Sequence, residues 1–234
     1  MATRNYRNLL NSGPSIIPST GIFNYLTEEE KASLARHITI MNFARHDIIF
    51  KQKMPSDHVV FVTEGLIKVF KAGRGNRLVC ISLVGPGNFA GLSSAFGSAE
   101  YRFSSSAIEN TKAVMIRKEA LAGLIKSNGQ LAFSLLKLLS RDMLEISDKL
   151  VNFSIKQLPG RVADLLRYFS EEIFKTDDFT VPLTRQEMAE LIGTTKESLI
   201  RTLHEFKNDK IIELDGKRIK IISYDLISIL CEHG

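Results

Sequence analysis

The side chains that could bind a metal or carry out redox chemistry are few in this 234-residue sequence. Cys80 and Cys231 lie far apart, so they form neither a disulfide scaffold nor a CxxC pair for zinc. Two cysteines are also too few for an iron–sulfur cluster held by one chain. The five histidines include no HxH pair, which a metal-dependent β-barrel enzyme of the cupin type would need. We therefore expect a reduced protein without a structural metal that is not an enzyme.

Polar side chains at helical spacing near the C-terminus indicate a different chemistry. Thr184 and Glu187 fit a capping box that opens a short helix, and Gly193 ends it. A second helix then begins at Thr194 or Thr195, with apolar positions that face inward. Its outward positions are Lys196, Glu197, Ile200, Arg201, His204 and Lys207. A small residue at the crossing, a glycine turn and a branched anchor beyond it are typical of a helix-turn-helix.

The segment after this pair of helices predicts a β-hairpin. Two alternating strands, from Ile211 to Leu214 and from Arg218 to Ile221, flank a turn at Asp215 and Gly216. A hairpin in this place is the wing of a winged helix-turn-helix. Its basic residues could lie along phosphates, but solvated hairpins also carry lysines, and the two interpretations are equal alternatives for each residue. These residues are Lys217, Arg218 and Lys220.

The N-terminal half must supply a different kind of element. Thr27 and Glu30 form a capping box that opens a short helix through Leu34. From about Ile38 to Ile116 the chain consists of short β-branched and aromatic runs separated by turn residues, which predicts an all-β sandwich or barrel. Two hairpin turns are expected within it, one at Glu64 and Gly65 and one over residues 73–76.

A heptad pattern follows the β half. Seven apolar residues step by four and three alternately, as in a coiled-coil seam: Ala132, Leu136, Leu139, Met143, Ile146, Leu150 and Phe153. A helix lying on the β domain would also explain the pattern. About three heptads with charged residues between them favour a homodimer, with an interface formed by Leu136, Leu139, Met143, Ile146, Leu150 and Phe153.

Pro159 and Gly160 interrupt the helical pattern and predict a domain boundary. Beyond them we expect a helix through residues 161–169 and a short strand, FTVPL, after the turn at Asp177 and Asp178. The predicted organisation is therefore a leader and β domain at residues 1–117, a long helical region at 118–157 and a winged helix-turn-helix domain at 158–234.

Net charge complicates a nucleic-acid interpretation. The chain carries +5 overall, but residues 1–155 hold 19 Lys and Arg against 12 Asp and Glu, whereas residues 156–234 hold 12 against 14. The basic excess thus lies outside the predicted DNA-binding segment, so local placement of charge matters more than its sum. The sequence lacks both an apolar run of about 18 residues and the apolar core of a secretory signal, so we expect a cytoplasmic protein with no membrane association.

The segment LTRQEMAELIGTTKESLIRTLHEF, followed by IIELDGKRIKI, resembles the DNA-binding domain of the Crp/Fnr family, the bacterial regulators related to the cyclic-AMP receptor protein and the fumarate-nitrate reductase regulator. The upstream segments FARHDIIFKQKMPSDHVVFVTEGLIKVFK and LVGPGNFAG, the heptad helix and GRVADLL are similar to the family in kind and order. The resemblance covers nearly the whole chain from about Ile22. It implies an α+β protein with a jelly-roll, cyclic-nucleotide-binding-like sensor domain, a long dimerisation helix and a winged helix-turn-helix.

The resemblance implies that Glu197 and Arg201 read base edges in the major groove. Glutamate accepts a hydrogen bond from cytosine N4, and arginine donates two to guanine O6 and N7. Lys196 stands where some members have an arginine, and lysine lacks that planar fork. Glu197 also has a rival structural role, because Thr194 and Glu197 have capping-box spacing. The full set of expected DNA contacts is Thr184, Arg185, Gln186, Thr195, Lys196, Glu197, Ser198, Arg201 and Lys217.

The same resemblance places an effector pocket in the β domain and against the long helix. Cyclic-AMP-binding members carry a Gly-Glu pair and later an Arg-Ser pair, which hold the ribose and the cyclic phosphate. Here Leu92 follows Gly91 and removes the ribose acceptor, and Arg102 could fall near the phosphate arginine but is followed by Phe103, which argues against cyclic AMP. Other members bind haem or an iron–sulfur cluster. The cysteine count disfavours the cluster, and haem needs an axial ligand that no residue clearly supplies. The effector therefore stays unidentified, with pocket candidates Gly91, Leu92, Ser93, Ser94, Arg102, Phe103, Ser104, Ile146 and Ser147.

The expected function is therefore a sequence-specific transcription regulator, a homodimer that binds a palindromic operator under control of a small-molecule effector. Its expected partners are double-stranded DNA, a second copy of the chain and RNA polymerase. The alternative is a cyclic-nucleotide-binding-like regulatory module that acts on a protein partner. Such a module would have no use for a helix-turn-helix and a wing.

Overall fold

The computed structural model describes Ile17, residues 21–73 and residues 78–234. A 3-10 turn, Gly21–Tyr25, leads into helix α1, Glu28–Ala35. The predicted capping box is confirmed, because the Glu30 amide donates to Thr27 Oγ1 and the Thr27 amide donates to Glu30 Oε2. Satisfying two otherwise unpaired amides fixes the start of this helix where the sequence predicts it.

Eight strands then form two four-stranded antiparallel sheets. The strands are β1 Ile38–Phe43, β2 Ile48–Phe50, β3 His58–Glu64, β4 Ile67–Ala72, β5 Leu78–Val84, β6 Phe89–Ala90, β7 Ser104–Ala107 and β8 Thr111–Arg117. Their order is β1-β8-β3-β6 in one sheet and β2-β7-β4-β5 in the other. The predicted two-layer β domain is confirmed.

Strand β3 explains why the sequence run HVVFV is continuously apolar. Side chains alternate between the two faces of a strand. Val60 and Val62 face a cluster shared by both sheets, whereas Val59 and Phe61 face a second cluster with the surrounding helices. Both faces are buried, so neither can be polar.

Three expectations for this half need correction or lie beyond the described residues. Glu64 and Gly65 do not form a hairpin turn, because β3 and β4 belong to different sheets. Gly65 has φ +85°, and a Cβ there would lie 2.5 Å from the Asn110 carbonyl oxygen, so the crossing requires glycine. The half is not all-β either, since helix α2, Leu92–Gly97, follows β6. The predicted turn over residues 73–76 falls mostly outside the described residues, although β4 and β5 pair as it requires.

Helix α3, Lys118–Ser127, is followed by the long helix α4, Gly129–Ile155. The Asn128 side chain caps α4 by accepting from the Leu131 amide. Leu131 and Leu135 are buried in the cluster of the β domain, and Leu138 and Leu139 pack at its margin. One stripe of the N-terminal half of α4 is thus anchored on the sensor domain. Of the predicted heptad residues only Leu139 belongs to it, so this packing does not explain the heptad pattern.

The C-terminal part contains four helices, a π-helical turn and a small antiparallel sheet of order β10-β11-β9. The elements are α5 Leu158–Tyr168, the π turn Phe169–Phe174, β9 Asp178–Thr180, α6 Arg185–Leu191, α7 Lys196–Asn208, β10 Ile212–Asp215, β11 Arg218–Ile221 and α8 Tyr224–His233. The predicted strand FTVPL is therefore limited to its first residues. The hairpin β10-β11 confirms the predicted wing.

The interruption between the helices lies just before Pro159 and Gly160. Helix α4 ends at Ile155, and the extended residues are Lys156 and Gln157, whereas Pro159 lies in the first turn of α5. Proline is tolerated there because the first amides of a helix have no intrahelical acceptor. Gly160 serves packing, since a Cβ on it would lie 2.6 Å from the backbone of Gly234.

Candidate nucleic-acid interface and effector pocket

Helices α6 and α7 form the predicted helix-turn-helix. Thr184 caps α6 with the predicted box, in which Glu187 Oε2 accepts from the Thr184 amide at 2.8 Å. Gly193 turns the chain at φ +65°, a conformation that glycine adopts without steric cost. Met188, Ala189 and Leu199 are fully buried between the helices, so packing fixes the angle of α7.

The opposite face of α7 is exposed. Lys196, Glu197, Arg201 and His204 all point to solvent, whereas Ile200, which was expected outside, is half-buried. Arg201 Nε lies 3.9 Å from Glu205 Oε1, and both side chains are more than half exposed. An exposed pair at that distance contributes little stability, so the guanidinium can exchange this partner for another.

The start of α7 differs from the expectation in one respect that concerns Glu197. The N-cap is Thr195, whose hydroxyl accepts from the Ser198 amide at 3.2 Å and lies 3.0 Å from Ser198 Oγ. The predicted capping box between Thr194 and Glu197 was therefore wrong. Because Thr195 occupies the cap, the Glu197 carboxylate is not engaged in a capping box.

Three further predicted DNA contacts are held by neighbouring groups. Arg185 Nη2 donates to the Gly216 carbonyl at 2.6 Å, and burial lowers the pKa of this guanidinium from its usual value. Lys217 Nζ donates to the Pro182 carbonyl at 3.3 Å. Gln186 Nε2 donates to Glu190 Oε1 at 3.1 Å. Arg185 thus fastens the first turn of α6 to the wing.

The sensor domain contacts this same region, which the sequence did not reveal. Lys68 Nζ on β4 lies 2.6 Å from Glu187 Oε1, with side chains only 12% and 10% exposed. Burial alone would raise the pKa of Glu187, but the bonds from Lys68 and Thr184 outweigh it and hold this pKa below its usual value. Arg45 Nη2 also donates to the Pro182 carbonyl at 2.8 Å. The first helix of the helix-turn-helix is therefore docked on the sensor sheet.

A cavity of about 920 Å³ lies between the sensor sheet, α2, α4 and the π turn. Seven of the predicted pocket residues line it: Gly91, Leu92, Ser93, Ser94, Phe103, Ile146 and Ser147. Arg102 and Ser104 do not. The Arg102 side chain is exposed, and the Ser104 hydroxyl accepts from the Gln52 amide at 2.9 Å. The arginine expected to approach a phosphate is thus outside the cavity.

The DNA-binding domain supplies one wall of the cavity through Tyr168, Ile173 and Phe174, which the sequence analysis missed. No propensity pattern signals a π turn. In the structure the ring of Phe174 stacks on that of Phe179, with centroids 5.1 Å apart. Lys149 on α4 also lines the cavity. Its Nζ donates to the Ile81 carbonyl at 2.9 Å, and desolvation lowers its pKa.

Asp142 is a second titratable group on the α4 wall. Burial, with Glu145 nearby, raises the pKa of this carboxyl to about 6. Across the described ranges, no group of three His, Cys, Asp or Glu side chains is placed to hold a metal ion. None of the helices in the described ranges combines the length and the hydropathy of a membrane span.

Comparison with known proteins agrees with both halves of this geometry. Residues 40–128 match the family model of the cyclic nucleotide-binding domain, and residues 160–226 match that of the Crp-like helix-turn-helix domain. The chain belongs to the Crp/Fnr family of transcription regulators. The predicted α+β fold and the predicted DNA-binding regulator are confirmed. The family consists of regulators and not of enzymes.

Relatives of this Crp/Fnr regulator align along most of their length. A CRP-like cAMP-activated global transcriptional regulator of Mycobacterium tuberculosis is 26% identical over 211 residues, which cover 88% of this chain and 94% of that protein. The cyclic AMP receptor protein of Thermus thermophilus is 24% identical over 204 residues, covering 86% and 91%. Both names refer to cyclic AMP, whereas this regulator has Leu92, buried, in place of the expected glutamate.

Solved structures show the same fold. FixK2 from Bradyrhizobium japonicum superposes with a TM-score of 0.77 at 20% identity, covering 82% of this chain and 96% of that one. A CooA mutant from Carboxydothermus hydrogenoformans gives 0.73 at 16% identity, covering 92% and 97%. At these identities the likeness concerns the arrangement of the elements.

Proposed function

We propose that this regulator acts as a homodimer through α4 and binds a palindromic operator with two copies of α7. The observation that carries this proposal is the exposed heptad stripe of α4, where Leu136, Met143 and Leu150 are 58%, 70% and 64% exposed. Ile146 and Phe153 continue the stripe, and Leu139 lies at its edge. An apolar stripe of this length on a 27-residue helix is the seam of a two-stranded coiled coil.

The proposed division of labour follows the predicted ranges. Residues 1–117 sense the effector, residues 118–157 pair the protomers and residues 158–234 bind DNA. In a two-fold dimer the recognition helices meet half-sites about 34 to 36 Å apart, one turn of B-DNA. The regulator would perform this task in the bacterial cytoplasm, where it meets DNA and RNA polymerase.

Base reading is assigned to Glu197 and Arg201. They lie one turn apart on the exposed face of α7, and neither is committed to a cap or a buried ion pair. A carboxylate and a guanidinium in this order suit the cytosine and the guanine of G·C pairs. The remaining contacts would fix position on the phosphates, through Thr184, Arg185, Gln186, Thr195, Lys196, Ser198 and Lys217.

The effector is proposed to be a small molecule other than cyclic AMP that occupies the 920 Å³ cavity. Leu92 offers no acceptor to a ribose, and Arg102 lies outside the cavity, so neither position that the family resemblance assigns to a ribose or a cyclic phosphate supplies the required group to the cavity. The described lining also contains neither His nor Cys, which leaves Met143 and Tyr168 as its residues of a haem-ligating type. The walls are mainly aliphatic and aromatic and therefore favour an apolar ligand.

Selection of preferred DNA from a random pool tests the proposal. Purified dimer should select an inverted repeat with a G·C pair in each half-site. Arg201→Ala should cost about 1 to 3 kcal/mol on that sequence and relax preference at one base pair. Glu205→Ala is the matched control, since it removes the intramolecular partner of Arg201 and leaves the reading group. A protein that selects no repeat under any ligand condition would refute the proposal.

A further inference from the structure

Three cationic side chains from three parts of the fold converge beside the start of α6. Arg45 comes from the loop between β1 and β2, Arg185 is the first residue of α6, and Lys217 lies in the turn of the wing. The carbonyl of Pro182 accepts from both Arg45 and Lys217, at 2.8 and 3.3 Å. Arg185 donates to the carbonyl of Gly216, the residue before Lys217. The carbonyls of Pro182 and Gly216 thus accept hydrogen bonds from all three positive groups.

This cluster has no neutralising carboxylate among the described residues. None of the ion pairs found there involves Arg45, Arg185 or Lys217. Two of the carboxylates next to it in sequence are committed elsewhere, Asp47 to the Ala44 amide and Glu187 to Lys68 and Thr184. The third, Asp215, is exposed and forms no ion pair with Arg45, Arg185 or Lys217. Like charges held close together repel each other, and a bound anion would relieve this repulsion.

Arg45 also has unused donors. Within the described residues its guanidinium makes a single side-chain hydrogen bond, to Pro182, although arginine carries five N–H donors. The residue is exposed, so the remaining donors face solvent on the side where α6 begins. In a helix-turn-helix the first helix crosses the DNA backbone, and arginine binds phosphate through its planar fork.

We infer that Arg45 of the sensor domain contacts a DNA phosphate beside those reached by Arg185 and Lys217. The inference rests on the proposed function and extends the nucleic-acid interface to a second domain. It also accounts for the charge distribution, in which residues 156–234 carry 12 basic against 14 acidic side chains. The DNA-binding domain takes part of its positive charge from the sensor domain docked against it.

The salt dependence of operator affinity measures this contact directly. Each phosphate contact contributes about 0.9 to the slope of log K against log salt, so loss of Arg45 from both protomers should flatten the slope by about 1.8. Between 0.05 and 0.2 M KCl, Arg45→Gln should therefore lose about tenfold less affinity than wild type. Arg45→Lys keeps the charge and should retain the wild-type slope.

The variants separate a phosphate contact from a structural role. Glutamine keeps an amide donor for the Pro182 carbonyl, so a purely structural Arg45 would leave the slope unchanged in Arg45→Gln. Arg36→Gln is the matched control, an exposed sensor-domain arginine whose described side-chain bond is to the Ser33 hydroxyl. A wild-type slope in Arg45→Gln, with operator selection intact, would overturn the inference and leave the proposed function standing. Absence of operator binding by wild type would refute both.

Neutral methylphosphonate substitutions along the operator locate the phosphate. One position in each half-site should weaken wild type and leave Arg45→Gln unaffected. If every position weakens the two proteins equally, Arg45 does not touch DNA.

Discussion

Replacing Lys68 by methionine should loosen the junction between the sensor and DNA-binding domains. The change removes the ammonium 2.6 Å from Glu187 Oε1 and keeps most of the apolar stem, so it leaves a carboxylate that is nine-tenths buried without its charged partner. Breaking one side of a buried pair costs about 3 to 5 kcal/mol when nothing else satisfies the remaining charge. Here Thr184 still donates to Glu187 through its amide and its hydroxyl, at 2.8 and 3.0 Å. We therefore expect a loss of about 2 to 3 kcal/mol.

A double-mutant cycle isolates this interaction. Glu187→Gln retains the capping box, because glutamine serves as well as glutamate at the third helical position, but it leaves Lys68 buried and unpaired. Lys68→Met combined with Glu187→Gln removes both charges. The double variant should therefore be more stable than the sum of the single losses predicts, with a coupling of about 1.5 kcal/mol or more.

Urea unfolding followed by circular dichroism gives the four free energies. Protomer concentration must be equal in all samples, since dimerisation contributes to stability. Hydrogen exchange of the segment 182–193 then shows whether the loss is local to α6. If Lys68→Met costs less than about 0.5 kcal/mol and adds simply to Glu187→Gln, the pair behaves as a solvated surface pair, and the reasoning about domain docking is refuted.

Three further outcomes follow from particular residues. The pKa of Glu187 is lowered in the folded protein, so its ionised carboxylate stabilises the fold above the unfolded pKa of about 4.3, and this stabilisation is lost as pH falls through the folded pKa. Acid should therefore loosen α6 in wild type and do so less in Glu187→Gln, which hydrogen exchange would show. Leu150→Glu should be monomeric in analytical sedimentation and should not bind the operator, whereas the control Asp148→Ser should stay dimeric. A dimeric Leu150→Glu would exclude α4 as the dimer interface. Gly65→Ala should lower the melting temperature, because its φ would be strained and its Cβ would lie 2.5 Å from a backbone oxygen. Gly123→Ala, in open space on α3, should raise the melting temperature, because alanine favours a helix over glycine by about 1 kcal/mol. Equal thermal shifts would contradict the steric argument.

The sequence predicted the elements that depend on local chemistry. Capping boxes at Thr27 and Thr184 are satisfied within four residues, and the wing is defined by alternation around a glycine turn, so each can be located without knowing the rest of the fold. Gly65 illustrates the limit of local patterns. The dipeptide of Glu64 and Gly65 suits a hairpin turn, but sheet membership depends on pairing with strands that are distant in sequence, such as that of Glu64 with Lys112.

The candidate site divides in the same way. Exposure of Glu197 and Arg201 follows from helical periodicity, but which threonine caps α7 depends on a choice between adjacent residues that the sequence leaves open. Arg102 was wrongly placed in the cavity, and the wall formed by the π turn was missed, because the lining of a cavity depends on tertiary packing. Lys68 looks like an ordinary outward lysine of a strand, and nothing in the sequence shows that α6 covers it.

Strand β4 suggests how an effector would reach DNA. Successive side chains of a strand point to opposite faces, and here Val69 lines the cavity while its neighbour Lys68 holds Glu187 at the start of the helix-turn-helix. A ligand that binds the arrangement with α6 docked more tightly than the undocked one, or the reverse, would shift the docking equilibrium by the difference between its two binding free energies. If Arg45 contacts phosphate only in the docked arrangement, DNA must favour docking by the same coupling free energy. Effector and operator would then act on one equilibrium, the seating of α6 on the sensor sheet.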